Sequence, residues 1–93
     1  MTNLSKNIEK YGWIIDVDVF DGEATGVTGP RGGMEVPEGE GEEFRMYDDD
    51  GVLYAEGRIV GDYDGFEPLD DFGEGNWGCI GVKYKGVDGW QYL

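Results

Sequence analysis

Apolar and polar positions alternate with period two through much of this chain, and glycine- and aspartate-rich breaks cut the alternation into short runs. Residues 13–20 are the clearest case. Trp13, Ile15, Val17 and Val19 fall on one side and Asp16 and Asp18 on the other, the pattern of a half-buried strand. Asp21-Gly22 turns the chain, and 23–28 returns as a short partner strand. Residues 43–47 form a further run, Asp48-Asp49-Asp50-Gly51 is a hairpin signal, and 52–60 is the returning strand. Strand pattern resumes over 77–85, Val87-Asp88-Gly89 turns it, and 90–93 closes as an edge strand.

Two stretches break the alternation. Gly29-Pro30-Arg31-Gly32-Gly33 opens a loop that runs on through Gly41, and a second loop spans 61–76. Loops of such length in a small domain are usually functional or mobile. Ahead of the strands, Leu4, Ile8 and Tyr11 fall at helical spacing, with Asn3 or Ser5 as cap and Gly12 as terminator. The predicted architecture is therefore α+β: a short N-terminal helix packed on a curved antiparallel meander of five or six strands, one domain over residues 1–93.

Composition narrows the class. Three Trp, six Tyr and four Phe supply dense burial, too aromatic for a wholly disordered acidic tail. The single cysteine, Cys79, cannot form an internal disulfide, which fits a reducing compartment. No apolar run approaches the roughly 20 residues that span a bilayer. The first twelve residues lack the apolar centre of a signal peptide. A cytoplasmic protein is the expectation. The terminal edge strand can pair across a two-fold axis, so monomer and homodimer both stand open.

Catalytic chemistry is thin. There is no histidine, which removes the commonest general base together with His-dependent triads and zinc sites. Ser5 is the only serine, and Cys79 reads as a small core hydrophobe with no activating neighbour in sequence. Gly29–Gly33 lacks the Gly-Lys-Ser/Thr ending of a phosphate loop. An EF-hand register fails as well. Gly51 at the sixth position puts Met46 first and Gly57 twelfth; Gly65 there puts Val60 first. An irregular calcium site across the acidic loops stays open, against plain turn chemistry for Asp48–Asp50. No enzyme, cofactor or metal is expected.

Charge is the strongest signal. The net charge is -14, and residues 35–74 hold fifteen Asp and Glu against Arg45 and Arg58 alone. Such a chain repels nucleic acid and anionic membrane, and Lys83 with Lys85 is the only basic pair. Three accounts compete for the acids: solvation and edge protection, salt adaptation, and mimicry of a polyanion. Salt adaptation predicts even spread, yet residues 1–34 carry five acids against three cations. For mimicry, residues i and i+2 of a strand lie about 6.6–6.8 Å apart on one face, and phosphates advance about 3.4 Å along the DNA axis. Asp16 with Asp18 would then approximate a phosphate row. Glu40, Glu42, Glu43, Asp48, Asp49, Asp50, Asp62, Asp64, Glu67, Asp70, Asp71 and Glu74 would extend it from the loops and the hairpin tip. Phe66 and Phe72 would be apolar anchors or core.

The opening Met1-Thr2-Asn3-Leu4-Ser5, with Ile8-Glu9-Lys10, resembles the start of the phage uracil-DNA glycosylase inhibitor family. That family is a small acidic helix-plus-sheet DNA mimic that plugs the enzyme's DNA groove, and the order of elements is similar. The family's Gln-Glu-Ser-Ile strand is absent here, where the only Gln is Gln91, so no functional residue is carried over. Phe66-Glu67-Pro68-Leu69-Asp70-Asp71-Phe72-Gly73, followed by Gly78-Cys79, is also similar to a segment of small uncharacterised bacterial and phage proteins, and implies no activity. Two expectations result. One is a non-enzymatic, phage- or mobile-element-encoded inhibitor of a basic nucleic-acid-binding protein such as a DNA-repair, restriction or CRISPR effector. The other is a general protein-interaction or small structural domain.

Overall fold

The computed structural model describes residues 10–93. The expected N-terminal helix, and most of the residues that carry the family resemblance, lie outside that range. Tyr11 and Gly12, read above as the helix end, belong instead to the first strand. Gly12 is there for close approach. A Cβ on it would sit 1.8 Å from the Met34 carbonyl oxygen, so the long loop can lie against β1 only because position 12 has no side chain.

Six strands form one antiparallel sheet: β1 (Tyr11–Asp18), β2 (Glu23–Gly29), β3 (Glu42–Tyr47), β4 (Leu53–Gly61), β5 (Gly81–Gly86) and β6 (Gly89–Tyr92). Their spatial order is β2-β1-β4-β3-β5-β6, which is not the expected meander. Loop 30–41 is long enough to cross the sheet end. It therefore delivers β3 and β4 so that β4, not β3, lies beside the first hairpin, on its β1 side. The Met34 N–H bonds the Tyr11 carbonyl at 3.0 Å and fixes that crossing.

Register decides which side chains share a face, since directly opposed residues do. One face carries Trp13 opposite Ile59, Ile15 opposite Gly57, Gly57 opposite Phe44, Ala55 opposite Met46, and Met46 opposite Val82. Together with Leu69 and Cys79 these residues make the core. Gly57 is the small position that admits the Phe44 ring, which a Cβ there would meet at 2.7 Å.

The smooth alternation of 13–20 does not survive in the structure. Ile15 lies opposite Gly57 and Val17 opposite Glu56, so Asp16 is an extra residue in a bulge. Beyond a bulge every side chain changes face. Val17 joins Glu56 on the open face, and Asp18 falls opposite the fully buried Ala55. Asp16 and Asp18 therefore do not form a phosphate-like row.

The second loop is not a loop throughout. Residues 67–77 are helical, with a wide π turn over Leu69–Gly73 followed by α1 (Glu74–Trp77). The Glu67 carboxylate accepts the N–H groups of Asp64 and Gly65 at 2.8 and 2.7 Å, which sets the entry. Pro68 is tolerated in a first turn, where its missing N–H costs nothing. Leu69 and Phe72 point at the sheet, and Gly78 ends the helix in the left-handed conformation at φ 69°. Trp77, expected to start a strand, is instead the last residue of α1, and β5 begins only at Gly81. This segment covers the core face and leaves the other face of the sheet open.

Candidate functional site

The open face explains where the cations go. Alternation along β3, β4 and β5 places Arg45, Arg58, Lys83 and Lys85 on it, four of the six Lys and Arg among the described residues. Each is engaged. Arg58 forks onto Asp16, with Nε to Oδ2 and Nη2 to Oδ1 both at 2.9 Å. Its Nη1 donates to the carbonyls of Pro37 and Glu40 at 2.8 and 2.9 Å. Asp16 is the main reason the Arg58 guanidinium is held even more firmly protonated than usual. Arg45 pairs with Glu56 at 2.8 Å and stacks 4.1 Å above the Trp90 ring. Lys83 sits between the Tyr47 and Tyr92 rings at 4.9 and 4.6 Å. Lys85 reaches Glu43 at 3.6 Å. With three acids facing four cations, this face is close to neutral.

The acidic surplus lies elsewhere. Segment 62–77, laid over the core face, carries Asp62, Asp64, Glu67, Asp70, Asp71 and Glu74 and no cation. Their tasks differ. Asp71 accepts the Tyr11 hydroxyl at 2.7 Å and the Trp13 indole N–H at 2.9 Å, which ties the helix to β1. Glu67 is committed to the helix entry. Glu42, at the rim of this face, accepts the Tyr63 hydroxyl, and burial followed by this bond pushes the Tyr63 phenol far up. Asp62, Asp64, Asp70 and Glu74 are exposed, and their side chains make no hydrogen bond or ion pair among the described residues.

The Asp48–Asp50 tip stands at the end of the sheet where this layer leaves it, since the Ile80 N–H bonds the Tyr47 carbonyl. Asp48 Oδ1 accepts the N–H groups of Asp50 and Val52, both at 2.9 Å. Those turn bonds, the one to Val52 first, hold the Asp48 carboxyl below the usual carboxylate range. The three carboxylates can each place one oxygen within 4.8 Å of the others. Turn formation accounts for Asp48, while Asp49 and Asp50 project outward.

Of the fourteen candidate carboxylates, the structure brings together the six of 62–77, with Glu42 at their rim and Asp48–Asp50 beyond the layer's exit. It does not add Asp16 and Glu43, which serve the open face. Asp18 turns back onto the N–H groups of Phe20 and Asp21. Glu40 belongs to the loop that Arg58 pins by its backbone. The cation-bearing face was missed from sequence, although Arg45 with Tyr47, Glu56 with Arg58, and Lys83 with Lys85 each stand two apart and signal it. Cys79 is buried; desolvation first, and then the charge of Asp48, push its thiol up to about 11. Among the described residues no helix is long and apolar enough to cross a membrane. Comparison with protein-family models, curated proteins and solved structures gives no match.

Proposed function

We propose that this chain is a small acidic binding protein that imitates a polyanion and occupies the basic nucleic-acid-binding surface of another protein. One observation carries this reading: the charges are sorted. Four of the six described cations are gathered on the open sheet face, three of them paired with acids, while segment 62–77 on the opposite side holds six acids and no cation, with Lys10 next to its start. Solvation alone asks only for mixed charge over the whole surface. A surface with so strong a surplus of acids attracts a Lys/Arg-lined channel with fast, salt-sensitive association. In this reading the protein acts without catalysis, in the cytoplasm, against a DNA-repair, restriction or CRISPR effector. The buried, protonated thiol and the lack of histidine agree with a role in binding.

The test is a pull-down from bacterial lysate at low and high salt, repeated with excess duplex DNA. The expected result is enrichment of nucleic-acid-binding proteins that are released by salt and by DNA. Retained proteins that do not bind nucleic acid, or retention indifferent to both, would instead favour a general interaction domain.

A further inference from the structure

Two turns meet where β1 ends and β4 begins, and beside Tyr54, which packs on the edge of the core, they leave Val19, Phe20 and Val52 exposed. The Val19 N–H bonds the Tyr54 carbonyl at 3.0 Å, and the Phe20 ring stands edge-on to the Tyr54 ring at 4.7 Å. The neighbouring Asp48 carboxylate is the chief reason the Tyr54 phenol is pushed up. Phe20 is nevertheless 63% exposed, Val52 41% and Val19 36%. Asp18 holds the first turn through the Phe20 and Asp21 N–H groups, and Asp48 holds the second. Phe20 is thus an outward aromatic on a fixed turn. Both turns, 18–23 and 48–52, contain acids and no cation.

We propose that this end of the sheet, beside the exit of the acidic layer, supplies the apolar anchor for the target, with Phe20 inserted into a socket on the basic surface that the layer's acids attract. The proposal rests on the polyanion reading and locates the contact within it. Exposed apolar clusters rimmed by polar groups mark protein contacts, and a few central residues, aromatics prominent among them, supply most of the energy of such contacts. The acidic rim selects the occupant by charge. A second acidic copy is disfavoured there, and a Lys/Arg-rimmed socket is favoured.

Two defined probes separate the possibilities: an amphipathic Lys/Leu helical peptide, and a Lys/Ser peptide of the same length and charge, each titrated into the full chain at low salt and followed by amide NMR. The Lys/Leu peptide is expected to bind about tenfold tighter, in line with an aromatic anchor, with shifts centred on 19–22 and 48–54. Phe20→Ser should remove most of that advantage and leave Lys/Ser binding unchanged. Asp49→Asn with Asp50→Asn should weaken both peptides. Circular dichroism of each variant confirms folding. Equal binding of the two peptides, or an inert Phe20→Ser, overturns the anchor. Shifts confined to 62–77, with none at 19–22 or 48–54, overturn the anchor's location but leave the polyanion reading standing. Shifts that depend on protein concentration without peptide show a second copy on the cluster, which also overturns the proposal. Failure of the polyanion reading would appear separately, as salt-indifferent capture in the pull-down.

Discussion

Replacing Arg58 by Met should destabilise the fold more than any other single change on the open face. Its guanidinium makes two bonds to Asp16 and one each to the Pro37 and Glu40 carbonyls. The side chain is only 16% exposed, while Asp16 is 33% exposed and can partly rehydrate when its partner is lost. Hydrogen bonds to charged groups are worth about 1.5–3 kcal/mol each, and bonds sharing one side chain do not add. Rehydration lowers the cost further, so we expect a loss of about 2–3 kcal/mol, a large part of the 5–15 kcal/mol typical of a domain. At about 4–8 °C per kcal/mol for a domain of this size, the midpoint should fall by about 8–24 °C. Arg58→Lys keeps the charge but loses the fork and should fall between. The assay is urea unfolding followed by tryptophan fluorescence, with Asp16→Asn and the double variant completing a cycle. A loss below about 0.5 kcal/mol, the scale of an exposed ion pair, with no coupling to Asp16, would refute the clamp.

Three further predictions follow from the same contacts. Asp71→Ala should cost about 1–2 kcal/mol, because Tyr11 and Trp13 lose an acceptor, and the indole N–H resonance of Trp13 should move, as checked by NMR. Cys79 should resist thiol reagents at pH 8 until the chain unfolds. Because its folded value of about 11 lies above the ordinary 9.0, the unfolded chain gives up this proton first, and thermal melts should show stability falling between those pH values. Asp48, held below 3.8, contributes stability above that value that is lost as pH falls through its folded value. Asp48→Ala should flatten the acid limb of the melting profile.

Strand positions were legible because residues such as Phe44, Met46, Ile59 and Val82 sit in runs bounded by Gly and Asp turns. The bulge at Asp16 was not legible, since Trp13, Ile15, Val17 and Val19 keep period two in sequence and only pairing with Gly57 and Glu56 reveals the extra residue. Nor was the helix over 67–77. Pro68, Gly73 and Gly75 read as loop, and the segment is helical because Leu69 and Phe72 bury against the sheet, so tertiary packing outweighs propensity. Strand order depended on where loop 30–41 crosses, which rests on the fit of Met34 over Gly12. For the site, the sequence showed the amount of acid but not its sorting. That required knowing which residues share a face.

Polyanion imitation stands or falls on the salt dependence of the complex with a captured nucleic-acid-binding protein, comparing wild type with a variant carrying Asp62→Asn, Asp70→Asn and Glu74→Gln. These three exposed carboxylates lie on segment 62–77 and make no side-chain bond among the described residues. Affinity should fall by about tenfold or more from 50 to 500 mM salt, duplex DNA should compete, and the variant should bind more weakly with a shallower salt slope. Equal affinity for wild type and variant, with binding indifferent to salt and to DNA, would contradict it.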